Sequence, residues 1–302
     1  MKYYPEGTNS SLVKRFASLR ELKEAADGGA VYEAPVLMCD SAHNLILDLG
    51  CCRGVIPRTE GALGILEGTV RDIALISKVN RCVCYQVKGF HRNGRGTLTP
   101  VLSRRSVQLA CKKEYISALA VGDIIPAVVT RTEPFGAFID IGAGINALIP
   151  IDMLSVSRIN HPRERVSQGQ QIQTVLRKRE PEKLTFSLKE LLGTWEENAA
   201  GLTVGDTVTG IVRSVEDYGV FVELAPNLAG LAEPYDGVSP GERVSVFIKS
   251  VLPDRMKIKL VIIDSFGQEE AVPPLTWFVS EKHLDCWEYS PPDAAKYIAT
   301  LF

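Results

Sequence analysis

The stretch VGDIIPAVVTRTEPFGAFIDIGAGINALIP, residues 121–150, recurs as VGDTVTGIVRSVEDYGVFVELAPNLAGLAE, residues 204–233, without a gap and at a constant offset of 83. Gly122 and Asp123 fall on Gly205 and Asp206, while Phe135, Gly136, Phe138 and Asp140 fall on Tyr218, Gly219, Phe221 and Glu223. A fainter copy, AHNLILDLGCCRGVIP, puts His43, Asn44, Ile46 and Asp48 at the same four positions, 92 residues before the second copy. Solenoid units repeat every 20 to 50 residues or so, whereas a period of 83 to 92 suits a small folded domain. The chain is therefore a tandem array, and whatever fold one copy adopts, the others share.

Within a copy, short alternating runs are separated by Gly, Pro and Asp turns, the pattern of strands. In the second copy they fall at about 124–131, 136–141, 146–150, 171–178 and 183–188. Five short strands in so few residues predict a small closed barrel. Alternation puts Ala137, Ile139 and Ile141 on the inner face and Phe138 with Asp140 on the outer, polar one. Phe135 lies across Gly136, where a backbone without a Cβ can kink, so both rings could point outward together. The third copy lacks a counterpart of SVSRINHPRER, being 11 residues shorter after its third strand.

At 302 residues, 45% hydrophobic and 23% charged, the chain has the composition of a globular protein of two or three domains, not of a disordered one. It has no run of 18 apolar residues and no leader-like start, which predicts a soluble, cytoplasmic protein without a membrane partner. Seven cysteines without a CxxC pair predict reduced, mostly buried thiols and no metal site. The net charge of −2 hides an asymmetry. Residues 30–110 carry ten Lys/Arg against six Asp/Glu, residues 203–264 six against nine, and residues 265–302 two against six. Coating nucleic acid by bulk charge is excluded, and local basic surfaces are not.

The order VGD, strand, [FY]G-x-F-[IV]-[DE]-[LI], G-L-[IV]-P, then a late basic strand resembles the S1 RNA-binding domain, an OB-fold barrel of bacterial ribosomal protein S1 and many RNA-processing proteins. The resemblance is strong for 118–192 and 203–264 and rests on HNLILDLG, GVIPRTE and PVLSRR for 29–117. It implies a mainly β chain of tandem five-stranded antiparallel OB-fold barrels with short flanking helices: an amphipathic helix in 1–28, a degenerate barrel in 29–117, barrels in 118–194 and 203–264, and an aromatic-rich strand pair and helix in 265–302. Three such repeats resemble a shortened ribosomal-protein-S1-like chain. In that family an aromatic pair stacks unpaired bases and a basic residue on the last strand meets the backbone. Carried over, this gives Phe135, Phe138 and Lys183 in the second copy and Tyr218, Phe221 and Lys257 in the third. Arg177, Lys178 and Arg179, and Lys249, Arg255 and Lys259, lie near enough in sequence to add phosphate contacts. The implied partner is single-stranded RNA, without a cofactor or small-molecule substrate.

Departures from the family pattern are informative. The histidine of G-L-[IV]-H is Pro57, Pro150 and Glu233 here, and in the first copy His43 and Ile46 replace the aromatic pair. The first copy could instead dock on the ribosome or another protein, or hold structured RNA through His43, Arg92, Arg95, Arg104 and Arg105. Catalysis ranks behind binding: GAGINA (142–147) matches a dinucleotide pattern in letters but joins two short strands, and GxxxxGK[ST], HExxH and GxSxG are absent. At the ends, SSLVKRFASLRELKEAA predicts a helix burying Leu12, Phe16, Leu19 and Leu22 on the first barrel. Ser290 with Pro291 predicts a second helix over 291–301, burying Tyr297, Ile298 and Leu301.

Overall fold

The structure, a computed structural model, describes residues 3–92, 98–181, 183–268 and 275–302. It divides into two compact units, Met1–Leu119 with Asp140–Asn146, and Ala120–Ile139 with Ala147–Phe302.

Three closed five-stranded barrels follow one another. The first is built from β1 (Tyr32–Cys39), β2 (Leu45–Asp48), β3 (Arg53–Ile56), β4 (Cys82–Arg92) and β5 (Leu98–Ser103). The second uses β6 (Ile124–Glu133), β7 (Gly136–Asp140), β8 (Asn146–Pro150), β9 (Gln171–Arg179) and β10 (Leu184–Ser187), within two residues of the ranges expected from alternation. The third uses β11 (Thr207–Glu216), β12 (Gly219–Ala225), β13 (Leu228–Ala232), β14 (Glu242–Leu252) and β15 (Lys257–Gln268). In each the strands close in the order first, second, third, fifth, fourth, and the third and fifth pair in parallel. That is the OB-fold arrangement. The inward sets are aliphatic as alternation requires: Leu45, Leu47 and Leu49 in the first, Ala137, Ile139 and Ile141 in the second, Val220 and Val222 in the third, all fully buried.

The N-terminal helix is shorter than the spacing suggested. α1 spans Leu19–Asp27 and is capped by Ser18, whose side chain accepts the Glu21 N–H. Before it Ser10–Leu12 form a short 3-10 turn, and the chain from Val13 is extended, Val13 and Phe16 making parallel bridges to Glu33 and Gly50. Phe16 and Leu22 still enter the core of the first barrel, Phe16 from extended chain instead of a helix. Among the described residues the other α-helices are α2 (Ile73–Ile76), α3 (Arg104–Glu114) and α4 (Trp195–Ala199).

The tail also departs from expectation. β16 (Cys286–Glu288) and β17 (Ala299–Leu301) pair antiparallel, but no helix forms over 291–301. Ser290, expected as a helix cap, instead ties the intervening loop, its Oγ accepting the Ile298 N–H and donating to the Lys296 carbonyl, both at 2.8 Å. Tyr297 and Leu301 are exposed, and the tail is anchored by Trp287 and Tyr289, which are buried in the core of the third barrel with Ile298 packed against it. The tail also reaches the second barrel: His283 Nδ1 lies 2.7 Å from Asp123 Oδ1, and Arg177 donates to the Leu301 carbonyl. Of the seven cysteines, all free, Cys84 and Cys111 are buried and Cys286 is exposed, so burial is less general than expected.

Candidate nucleic-acid interface

In the second and third barrels the second strand begins beside a tight crossing. A Cβ on Gly136 would lie 2.4 Å from the Ile149 carbonyl oxygen, and one on Gly219 2.3 Å from that of Ala232, its counterpart at the 83-residue offset. Only glycine lets the strand pass this close, and Gly219 also takes φ 152. The kink sets the flanking rings edge to face: Phe135 and Phe138 have centroids 5.9 Å apart at 88°, Tyr218 and Phe221 6.2 Å apart at 89°. Phe135 is 56% exposed and Tyr218 65%, whereas Phe138 and Phe221 are half-buried. Both rings of each pair therefore reach the outer surface, one of them more exposed than the other.

Strand register decides which basic residues share that face. In the third barrel Phe221 is opposite Leu231, Leu231 opposite Lys259, and Lys259 opposite Ser250. Ile258 and Leu260 point inward, so Lys259 points out with Phe221, two strands away, about 10 Å at ordinary strand spacing. In the second barrel the corresponding row is Leu148, Thr185 and Lys178. The lysines chosen from the family pattern are placed differently. Lys183 precedes β10 and is exposed, and Lys257 opens β15 opposite Leu252, at the strand end. Arg179 is exposed at the end of β9, opposite Leu184. Lys249 is exposed but spends its charge on Glu233 at 2.6 Å, a contact that holds the Glu233 carboxyl below its usual range. Arg177 is taken up by the Leu301 carbonyl and the Phe302 ring. Not foreseen from sequence is Arg131, whose guanidinium lies over Phe138 at 4.7 Å while bonded to Glu133. Its two-residue spacing from Glu133 on a strand was the available signal.

The first barrel differs on the same face. Met38, Ile46, Val55 and Val101 form the corresponding row, all aliphatic. His43 sits in a turn at φ 61, half-buried, and Arg92 is exposed at the end of β4. Arg95 lies outside the described residues. Arg105 pairs with Glu67 at 2.9 Å. The expectation of a surface contact at Arg104 is corrected: it is 2% exposed, donates to both carboxylate oxygens of Glu6 and to the Gly61 carbonyl, and has no surface from which to meet a phosphate.

Asp140 and Glu223 also leave their expected place on the solvent side, each being 4% exposed. Alternation itself is kept, since Ile139 and Ile141 flank Asp140 on the inner face and Val222 precedes Glu223 there, so both carboxylates stay on the outer side of their strands and are buried because other segments cover them. Asp140 accepts the N–H groups of Glu6, Gly142 and Gly144. Burial, and then the charge of Glu6, push its carboxyl up to about 6. Glu33, whose Oε2 accepts the Gly7 N–H, is pushed by burial to about 7. Burial acts to raise Glu6 too, but Arg104 and Lys78 outweigh it and hold that carboxyl well below the usual range. Glu223 receives bidentate bonds from Arg165 at 2.8 and 2.7 Å and from Arg213 at 2.9 and 3.0 Å.

Among the described residues no cluster of His, Cys, Asp or Glu could hold a metal ion, and no helix is long and apolar enough to cross a membrane.

Comparison with known proteins places the second barrel. Residues 118–188 match the family described as S1 RNA binding domain. The small ribosomal subunit protein bS1 of Staphylococcus aureus (strain COL) is 32% identical over 190 residues, covering 57% of this chain and 48% of the relative. That of Leuconostoc lactis is 29% identical over 235 residues, covering 72% and 52%. The chain thus spans about half the length of the curated relatives it matches. Among solved structures, a multidomain protein with nucleic acid binding domains from Streptococcus pneumoniae TIGR4 aligns over 78% of this chain and 74% of its own, at 12% identity and a TM-score of 0.26.

Proposed function

We propose that the second and third barrels hold single-stranded RNA, the bases stacking on Phe135 with Phe138 and on Tyr218 with Phe221, and the backbone meeting basic residues on the same outer face. The carrying observation is the repetition: two barrels present the same edge-to-face pair on the same kinked strand, with a lysine in the outward row beside it. Every base offers a π-face, so stacking of this kind is worth roughly 1 to 3 kcal/mol per base with little regard to its identity. Lys183, Arg179, Lys257 and Lys249 remain the candidates drawn from the family pattern, and register adds Lys259, and Lys178, which like Lys249 is paired with a carboxylate, Glu180 at 2.6 Å. The S1 match over 118–188 and the bS1 relatives support RNA as the ligand and translation as the setting, in a cytoplasmic protein that binds and does not catalyse. Ribosome association and RNA turnover are both compatible with such a binder.

The first barrel takes no part in base stacking on this reading. Its face carries Ile46 where the others carry a ring and Val101 where the third carries Lys259, and Arg104 is buried. An aliphatic face of this kind suits a protein partner, such as a ribosomal protein.

Anisotropy of a labelled uridine-rich single strand tests the proposal, comparing the wild type with Phe138→Ala/Phe221→Ala at two salt concentrations. Binding should be lost by roughly 2 to 6 kcal/mol in the double variant, and should weaken with log[salt] at a slope of about −0.7 per phosphate contacted. A folded wild type that ignores the RNA would overturn the reading and send the search to protein partners.

A further inference from the structure

The segment that the repeat leaves unmatched, SVSRINHPRER at 155–165, has a structural task. Its backbone runs along the third barrel's turn: the Val156 N–H donates to Asn227 Oδ1 at 2.9 Å and the Ser157 N–H to the Pro226 carbonyl at 3.2 Å. At its far end Arg165, 2% exposed, grips Glu223 with both Nη atoms. Glu164 receives Arg213, which holds the other side of Glu223. Asn227, fully buried, continues the connection by donating to the Lys189 and Gly193 carbonyls, which follow β10.

Two further ties join the same bodies. α4, in the stretch between the barrels, is closed by a capping box on Thr194, and its Trp195 is buried in the third barrel's core. The tail bonds to the second barrel through His283 and Arg177 while its Trp287 and Tyr289 lie in the third. Barrels strung as independent modules would need only a polar, flexible linker. Burying two guanidiniums and a carboxylate gains little stability over an apolar contact of the same volume, but a bidentate fork has one geometry and so fixes orientation.

We infer that the second and third barrels form one composite RNA site, in which residues 155–165 and Asn227 hold the two aromatic pairs in a fixed relation so that one strand engages both. This rests on the RNA reading above. Holding the second pair in place makes its engagement intramolecular, so a strand long enough to reach both gains affinity without any new contact.

The test uses labelled oligouridylates of about 6 and about 24 nucleotides, bracketing a site size of roughly 4 to 16 per OB barrel. Wild type should bind the longer strand at least tenfold more tightly. Arg165→Met, in which Arg213 still neutralises Glu223, and separately Asn227→Ala should reduce that ratio about tenfold and leave the affinity for the short strand unchanged. Nitrogen-15 relaxation of the wild type, which requires no variant to fold, should give one tumbling time for both barrels. Two separate tumbling times, or a length ratio untouched in both variants, would overturn the composite site while leaving single-barrel RNA binding intact. Failure of the wild type to bind either length overturns both readings together.

Discussion

Arg165 and Glu223, 58 residues apart in sequence, meet through paired hydrogen bonds of 2.8 and 2.7 Å with both side chains almost fully buried. Glu223→Gln would leave Arg165 and Arg213 sharing a neutral acceptor in the interior. Loss of one member of a buried charge cluster costs on the order of 3 to 5 kcal/mol, and denaturant unfolding of the second unit should show that loss. The pH dependence has a definite sign. Burial acts to raise the Glu223 carboxyl, but the two guanidiniums win and hold it below 4.5, so its contribution is present above that value and disappears on acidification. Glu223→Gln should therefore flatten the acid limb of the stability profile.

Gly219→Ala tests the kink that sets the rings. The new methyl would lie 2.3 Å from the Ala232 carbonyl oxygen at a φ of 152, so strand and side chain cannot both be kept. A loss of about 3 kcal/mol or more is expected, in the range that marks a clash at a special backbone position. Urea midpoints would measure it, and a change under 1 kcal/mol would show that the crossing is looser than described.

Lys259 and Lys249 separate charge in the row from charge nearby. Lys259 stands in the outward row with Phe221, whereas Lys249 is paired with Glu233. Lys259→Ala should weaken RNA binding and reduce the magnitude of the salt slope by about 0.7, one phosphate contact on a single strand. Lys249→Ala should change the slope by far less, because its ammonium is already neutralised. Titrations at four salt concentrations distinguish the two, and equal effects would remove the register argument.

Glu33 and Asp140 predict an opposite pH response in the first unit. Burial raises both carboxyls, to about 7 and about 6, so the folded unit binds protons more readily than the unfolded chain. Stability from these groups is complete below about 4 and declines as pH rises through 6 to 7. Amide exchange of β4 should be slower at pH 5.5 than at pH 8 after correction for intrinsic rates. Glu33→Gln, which imitates the protonated carboxyl, should reduce that difference.

His283 offers a local check on the tail. Its bond to Asp123 raises the imidazole above its ordinary 6.5. A proton NMR titration should show this, and Asp123→Asn should bring the value back down. An unshifted histidine in the wild type would mean that the contact does not persist in solution.

The barrels themselves were legible in the residues. Period-two alternation with a repeated Gly between two rings is local information, and it located every strand of the second barrel to within two residues and put both aromatic pairs on the surface. Other features depended on partners distant in sequence. Asp140 and Glu223 read as outward by parity and keep that parity, yet the N-terminal stretch at Glu6 and the guanidiniums of Arg165 and Arg213 cover them and bury them. Arg104 read as a surface cation because nothing near it in sequence announces Glu6, 98 residues away. The tail's serine and proline were a sound local helix signal, overridden when Trp287 and Tyr289 found a core to enter and the chain between β16 and β17 had to close a hairpin. Sequence by itself determined what each strand and turn can be, because those choices rest on φ/ψ preference and side-chain period. Tertiary structure alone decided which charges are spent on one another and which face the solvent, because burial is a property of the assembled chain and long-range pairing has no local signature.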